Sequence, residues 1–281
     1  MSPPGAVAIL GPGRMGQGIA LALAGRRWEV RLLARSPRPL PPPLRLAADW
    51  RDAIARSAVV LVATGDDAIG GAARELAALG TVRPEHAVLH LSGLLDRGAL
   101  APLEPSGAAL GSFHPLQSVA DPATAAERLA GAYAALEGDD RALAAGERLA
   151  LALGMHPVRL APDAKVLYHA GAVIAGNYPL ALAGVAERVA REAGVAPDVA
   201  ARMYLPLLAG AAANAALLGP ARALTGPVRR GDAATIRLHL AALEPADREL
   251  YRMLGRAALA LAREAGLDPA AARAVERALA G

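Results

Sequence analysis

Lys165 and His169 stand four residues apart in an apolar, helix-forming stretch. That spacing is about 40° around a helix, so both side chains share one face. An amine or imidazole placed there can give a proton to the atom that becomes an alcohol or amine as hydride arrives on its neighbour. Asn177, eight residues beyond His169, is turned by about 80° and can border the same face. Lys165 is also the single lysine among 30 basic residues. A guanidinium does not give up its proton, so a lone lysine is a candidate for work that arginine cannot do. Survival by chance in an arginine-biased sequence is the plain alternative. Lys165 or His169 is therefore the expected proton donor, with Asn177 hydrogen-bonding the same group. Tyr168 is expected to point elsewhere and pack.

Ser92 and His114 each close an apolar run of strand length, 87–91 and 108–113. Ligands of open α/β sheets sit beyond the carboxyl ends of the strands. His114 is thus expected to orient a substrate carbonyl or carboxylate, and Ser92 to hold it. Either residue also suits a loop position that satisfies backbone groups. Thr225, in Leu224-Thr225-Gly226-Pro227 ahead of Arg229-Arg230, can face an anionic substrate. Solvated loop charges would look the same.

The stretch Gly11-Pro12-Gly13-Arg14-Met15-Gly16 follows the apolar run Ala6–Leu10 and opens into a helical pattern. Strand, glycine turn and helix in that order form a dinucleotide fingerprint. Gly11 allows the tight turn, Gly13 lets the backbone approach a pyrophosphate, and Gly16 lets helix and strand pack closely. Unpaired N–H groups at the helix start then face the phosphates, which assigns Gly11, Gly13, Arg14, Met15 and Gly16 to the cofactor. Thr64, after the third strand, joins them. A cofactor without a 2′-phosphate is held by an acid near the end of the second strand. Here that end reads Arg35-Ser36-Pro37-Arg38, with no acid until Asp49. Arg35, Ser36 and Arg38 suit a 2′-phosphate, so NADP is expected over NAD.

These residues need a frame, and the chain supplies one. Strand and helix patterns alternate from Ala6 to Leu160, which argues a doubly wound, mostly parallel α/β sheet. Short stretches at Leu44–Leu46 and Ala132–Leu136 read as strands within it. Asp66 or Asp67 is expected to cap the helix that follows Thr64. From Pro162 only helical segments follow, with a bend expected at Pro179 and Asp232 as an N-cap. Residues 1–161 are read as a dinucleotide-binding Rossmann domain and 162–281 as an all-helical substrate and dimerisation domain. Alanine-rich helices with apolar residues on several faces need partners on more than one side. A homodimer through the C-terminal helices would provide them; a monomeric bundle is the alternative.

Composition narrows the classes. The chain has no cysteine, which removes disulfides, thiolate metal sites and a cysteine nucleophile. Aromatic residues make up 3% and no basic run is interleaved with them, so nucleic-acid binding by stacking is not expected. Neither an HExxH-type metal spacing nor a serine elbow is present. No signal pattern opens the sequence. Gly, Pro and Arg interrupt apolar stretches before about 18 residues, so no membrane span is expected. A soluble cytoplasmic protein follows.

In combination, Gly11–Gly16, Leu91-Ser92-Gly93, Ser112-Phe113-His114-Pro115-Leu116-Gln117, Tyr168-His169-Ala170-Gly171 with Asn177, and Leu224–Pro227 with Arg230-Gly231-Asp232 resemble a known pattern. It is that of a bacterial family of Rossmann-like oxidoreductases with a helical C-terminal domain of unassigned function. That family is similar in architecture to pyrroline-5-carboxylate reductase, 6-phosphogluconate-type dehydrogenases and prephenate dehydrogenase, and some relatives act as ketopantoate reductases. The resemblance implies two domains, a helical dimer and nicotinamide use. His114-Pro115 with Ser92 resembles the prephenate dehydrogenase pocket, but the glycine-rich continuation is missing. The Lys-x-x-x-Asn of hydroxyacid dehydrogenases is replaced by Lys165-Val166-Leu167-Tyr168-His169, which shifts weight to His169. The expectation is an NADPH-dependent reductase of a small anionic carbonyl or imine, ketopantoate first and pyrroline-5-carboxylate second. A nucleotide-binding sensor or scaffold without turnover is the alternative.

Overall fold

The computed structural model describes residues 5–281. Seven strands form one sheet: β1 Ala6–Leu10, β2 Glu29–Leu33, β3 Val59–Val62, β4 Ala87–His90, β5 Ala109–Pro115, β6 Tyr133–Gly138 and β7 His156–Arg159. Their order is β2-β1-β3-β4-β5-β6-β7, and only β5 and β6 run antiparallel. Around it lie α1 Arg14–Ala24, α2 Trp50–Ala55, α3 Asp66–Leu79, α4 Ala125–Leu129 and α5 Asp140–Ala152. Strand side chains alternate between two buried clusters. Val7, Ile9, Val59 and Leu61 enter one; Ala8, Leu10, Val60 and Val62 enter the other. Both faces are therefore covered, which explains why β3 is an unbroken apolar run and β4 is apolar up to His90. Each fully buried leucine or valine contributes about 1.5–3 kcal/mol to holding these layers. The chain leaves β1 for β2 on one side and returns for β3 on the other, so a crevice opens beyond Leu10.

Several local expectations change. The segment Leu44–Leu46 makes one bridge, Leu32 to Leu46, rather than a strand. Residues 97–106 form a 3₁₀ helix around Pro102 and Pro105, which the apolar pattern does not reveal. Neither Asp66 nor Asp67 caps α3 by its side chain. Gly65 is the N-cap, and the acids fill the first turn, where the helix end favours negative charge.

The chain divides into two compact units, the first ending at Gly176 and the second spanning Asn177–Gly281. Helix α6, Lys165–Gly176, thus lies with the sheet, whereas the sequence placed the division at 161/162. The side chain of Lys165 accounts for this, because it is bonded to groups at the ends of β4 and β5.

The second unit holds α7 Tyr178–Glu192, α8 Pro197–Met203, α9 Leu205–Leu218, α10 Pro220–Ala223, α11 Gly226–Arg230, α12 Ala233–Ala242, α13 Pro245–Glu264 and α14 Pro269–Ala280. The helix breaks at Asn177, two residues ahead of Pro179, which sits in the first turn of α7 where a missing N–H costs nothing. Asp232 caps α12 as expected, accepting Thr235 N–H at 3.0 Å and Thr235 Oγ at 2.7 Å. Ile236, Leu259, Val275 and Leu279 form the core of α12, α13 and α14. Leu180, Leu205, Leu207 and Leu217 of α7 and α9 are exposed. Gly and Pro interrupt these helices less than the sequence suggests. The stretches Pro162–Glu192 and Pro197–Leu218 are each long and apolar enough, by length and composition, to cross a membrane, with mean hydropathy 1.2.

Candidate functional site

The glycine turn has the geometry its spacing demands. Gly11 adopts φ +100, and a Cβ there would stand 2.8 Å from the Ala63 carbonyl oxygen. A Cβ on Gly16 would lie 2.4 Å from the Gly11 carbonyl oxygen, so only glycine lets α1 approach this closely. Gly13 meets nothing within 4 Å and is exposed, as is Arg14. The first amides of a helix have no intrahelical acceptor. The ladder of α1 begins with Gln17 N–H on the Gly13 carbonyl at 2.9 Å, which leaves the preceding N–H groups for an anion. Beside the turn, Thr64 Oγ is buried and has no hydrogen-bond partner among the described residues. Met15 differs from the rest of the expected set, because its side chain packs on the sheet core.

Beyond β2, Arg38 donates to the Pro12 carbonyl at 3.3 Å and so reaches the glycine turn. Arg35 is paired with Glu75 at 2.9 Å, and Ser36 is exposed. The open Gly13, the free helix start and the unpaired Thr64 hydroxyl fit the phosphates and ribose of a dinucleotide. Arg38 is the arginine placed nearest to them.

A second cluster lies at the ends of β4 and β5. His114 Nδ1 shares a hydrogen bond of 2.8 Å with the Tyr168 hydroxyl, and its ring is 6.2 Å from that of His169. Tyr168 therefore does not point elsewhere, as expected from the sequence, but takes part in the site. Gly93 lies between the imidazoles: a Cβ on it would stand 2.8 Å from His169 Cδ2 and 2.9 Å from His114 Cε1. Burial, with the charge of Lys165 and then His169 nearby, holds the pKa of His114 down at about 4. Burial pushes Tyr168 up to about 12. At neutral pH the pair is thus a neutral imidazole and a protonated phenol.

The hydroxyl of Ser92 is engaged within the chain. Its Oγ donates to Asp66 at 2.8 Å and accepts the N–H groups of Leu94 and Leu95 at 3.1 and 3.0 Å. With one donor and two acceptor sites filled, it is the knot of a serine turn. Below it, His90 is fully buried. Its Nδ1 accepts Ser92 N–H at 3.2 Å, so Nε2 carries the proton and donates to the Asp96 carbonyl at 2.8 Å.

Lys165 is 1% exposed. Its ammonium donates to Ser112 Oγ at 2.6 Å and to the Ser92 carbonyl at 3.2 Å. Ser112 Oγ in turn donates to Glu137 at 3.3 Å, a carboxylate that also accepts Arg97 N–H at 2.9 Å. Burial lowers the Lys165 pKa, and nearby Glu137 opposes that shift; burial likewise raises Glu137 against the pull of Lys165. The lone lysine is therefore tied under the loop, and its bonding departs from the expected donor role. Glu137, Ser112, Asp66 and His90 carry no sequence signal of their own, since a strand pattern does not say which polar residue is paired inside. Asn177 and Thr225 belong to the second unit. Asn177 stands at the α6–α7 break and Thr225 at the start of α11, neither side chain capping its helix. The angle of about 80° from His169 assumed an unbroken helix and does not hold.

Acid sensitivity follows from the histidines. His90 and His114 are both held at about 4 against 6.5, mainly by burial. Between those values the unfolded chain takes up protons that the native one refuses, so stability falls as pH drops through that window. The loss is expected to reach about 3 kcal/mol per histidine at full extent. Urea unfolding between pH 7 and pH 4 measures it; a flat profile would contradict the buried, neutral assignment.

Fold and site together define a Rossmann-like protein with a helical C-terminal domain. Residues 3–115 match the model of a Rossmann-like domain, and residues 132–258 match that of a domain of unknown function, DUF2520. A Rossmann-like match followed by a DUF2520 match is the architecture its motifs resemble. Among solved structures it is similar to protein TM1727 from Thermotoga maritima, at 22% identity and TM-score 0.67 over 92% of this chain and 98% of the other. It is also similar to Plasmodium falciparum pyrroline carboxylate reductase with NADP bound, at 11% identity and TM-score 0.61 over 100% and 99%. Streptomyces aurantiacus imine reductase follows at 20% identity and TM-score 0.57 over 97% and 98%. No curated protein sequence matches the chain.

Proposed function

We propose that this protein is an NADPH-dependent reductase of a small anionic substrate with a C=N or C=O bond. The observation that carries the reading is the glycine turn: an open Gly13 above a free helix start, beside an unpaired Thr64 hydroxyl. The backbone N–H groups of Arg14, Met15 and Gly16, without an acceptor among the described residues, would hold the pyrophosphate over the open turn of Gly11 and Gly13, and Arg38 with Arg35 and Ser36 the 2′-phosphate. When bound, NADPH supplies the hydride. The likeness to a pyrroline carboxylate reductase and an imine reductase supports a C=N substrate, such as pyrroline-5-carboxylate, ahead of ketopantoate.

The residues around Gly93 then divide the remaining work. Tyr168 donates to His114 Nδ1, which leaves His114 Nε2–H as a neutral donor to the substrate's nitrogen or oxygen. His169 delivers the proton in place of Lys165, whose ammonium is held inside the sheet by Ser112 Oγ and the Ser92 carbonyl. A nucleotide-binding sensor without turnover is the second reading, and the pairing of Arg35 with Glu75 is compatible with it. Steady-state assays with NADPH on pyrroline-5-carboxylate and ketopantoate, beside a binding titration, separate the two. Tight binding without oxidation on either would favour the sensor.

The exposed leucines of α7 and α9 support a homodimer in which a second copy covers these helices. Light scattering after size exclusion is expected to give twice the 28.5 kDa chain mass. A monomer at micromolar concentration, or recovery only with membranes, would overturn this arrangement.

A further inference from the structure

The Lys165 ammonium holds the carbonyl of Ser92 at 3.2 Å and is itself fixed at 2.6 Å to Ser112 Oγ. Ser112 is in register with His90 of β4, so this anchor lies inside the sheet. A trans peptide sets its N–H antiparallel to its C=O. With the Ser92 carbonyl drawn toward the lysine, the N–H of Gly93 is turned the opposite way. Gly93 is buried, yet among the described residues its N–H meets no acceptor. The N–H groups of Ser92, Leu94 and Leu95 around it are all paired. An unpaired backbone donor in a buried position is rare and calls for a partner. The same glycine is flanked by His169 and by His114 Nε2, which would lie 3.0 Å from a Cβ placed on it.

We infer that the Gly93 N–H is a further binding donor of the site, taken up by a carbonyl or carboxylate oxygen of the ligand, and that Lys165 is the positioning residue that aims it. The inference rests on the reductase reading above and gives the lone lysine a role through the Ser92–Gly93 peptide instead of through proton transfer. The oxygen belongs either to the carboxamide of the coenzyme or to the substrate. In both cases the chemistry is a single N–H···O bond from a preset peptide.

The sequence contains two Ser–Gly pairs, Ser92-Gly93 and Ser106-Gly107. Labelling the full chain with carbonyl-¹³C serine and ¹⁵N glycine therefore selects two amide signals, and Gly107, already bonded to the Glu104 carbonyl, serves as reference. One arm adds NADP⁺ alone; the other adds NADP⁺ with L-proline. The Gly93 proton is expected to move downfield while Gly107 stays. Movement with NADP⁺ alone assigns the oxygen to the carboxamide, and movement only with L-proline assigns it to substrate. A Gly93 signal that stays in place in both arms overturns the inference. Absence of any NADP⁺ binding by calorimetry is a different failure, that of the reductase reading, and the inference falls with it.

Two variants test the lysine. Lys165→Met is expected to raise KM about tenfold, the worth of one well-made hydrogen bond. Lys165→Gln, which keeps an N–H for the Ser92 carbonyl, restores most of it with an unchanged pH profile. Should Lys165→Met fail to fold, Ser112→Ala loosens the same anchor and carries the comparison. Equal loss of kcat in both lysine variants, with a limb missing from the pH profile, would show a proton donor and overturn the positioning role.

Discussion

Gly13→Ala is expected to weaken NADPH binding by at least about a hundredfold while leaving thermal stability at or slightly above wild type. The backbone at Gly13 has φ −73, which alanine adopts freely, and no atom lies within 4 Å of the added methyl. Replacing glycine by alanine where the conformation permits stabilises a chain by about 0.4–1 kcal/mol. The methyl instead occupies the space where a pyrophosphate must approach the backbone. Gly16→Ala is the matched contrast. Its methyl would lie 2.4 Å from the Gly11 carbonyl oxygen, so α1 must shift, at a cost of about 1–3 kcal/mol. Differential scanning calorimetry and coenzyme titration on the two variants separate a blocked site from a broken one. Equal loss of stability in both would contradict the open space over Gly13.

Lys165→Met carries the largest expected effect on stability. The variant removes the positive charge near Glu137, which is itself 1% exposed and has one carboxylate oxygen, Oε1, without a partner among the described residues. Breaking a buried charge pair costs about 3–5 kcal/mol, because the remaining charge is left uncompensated. Adding Glu137→Gln to Lys165→Met is expected to recover part of that loss, since the carboxylate no longer needs a counter-charge. Urea unfolding of the wild type, both single variants and the double variant closes the cycle. A loss under about 1 kcal/mol, with no coupling between the positions, would show that the pair is not a unit.

The glycine turn was legible because its geometry is set by the backbone. Gly11, Gly13 and Gly16 are set by spacing, and the apolar runs around them place a strand before and a helix after. The layered sheet was legible for a related reason, since unbroken runs such as Val59–Val62 have no other stable home than between two covered faces. The second cluster was only half legible. His114 and Ser92 were placed at strand ends, and His169 and Lys165 on one helix face. Which of them carries a free polar atom depends on partners far away in sequence. Ser92 is consumed by Asp66, Lys165 by Ser112 and the Ser92 carbonyl, and Tyr168 is drawn in by His114. Residue spacing says nothing about these long-range bonds. The angular placement of Asn177 failed for a local reason: the helix breaks at it, ahead of Pro179, and the angle needed an unbroken helix.

Calorimetric titration of the purified protein with NADPH and NADH tests the central claim most directly. The glycine turn with Arg38 beside it predicts saturable binding of NADPH, at least about tenfold tighter than NADH, the worth of one arginine–phosphate contact. No heat with either coenzyme at millimolar concentration would contradict it.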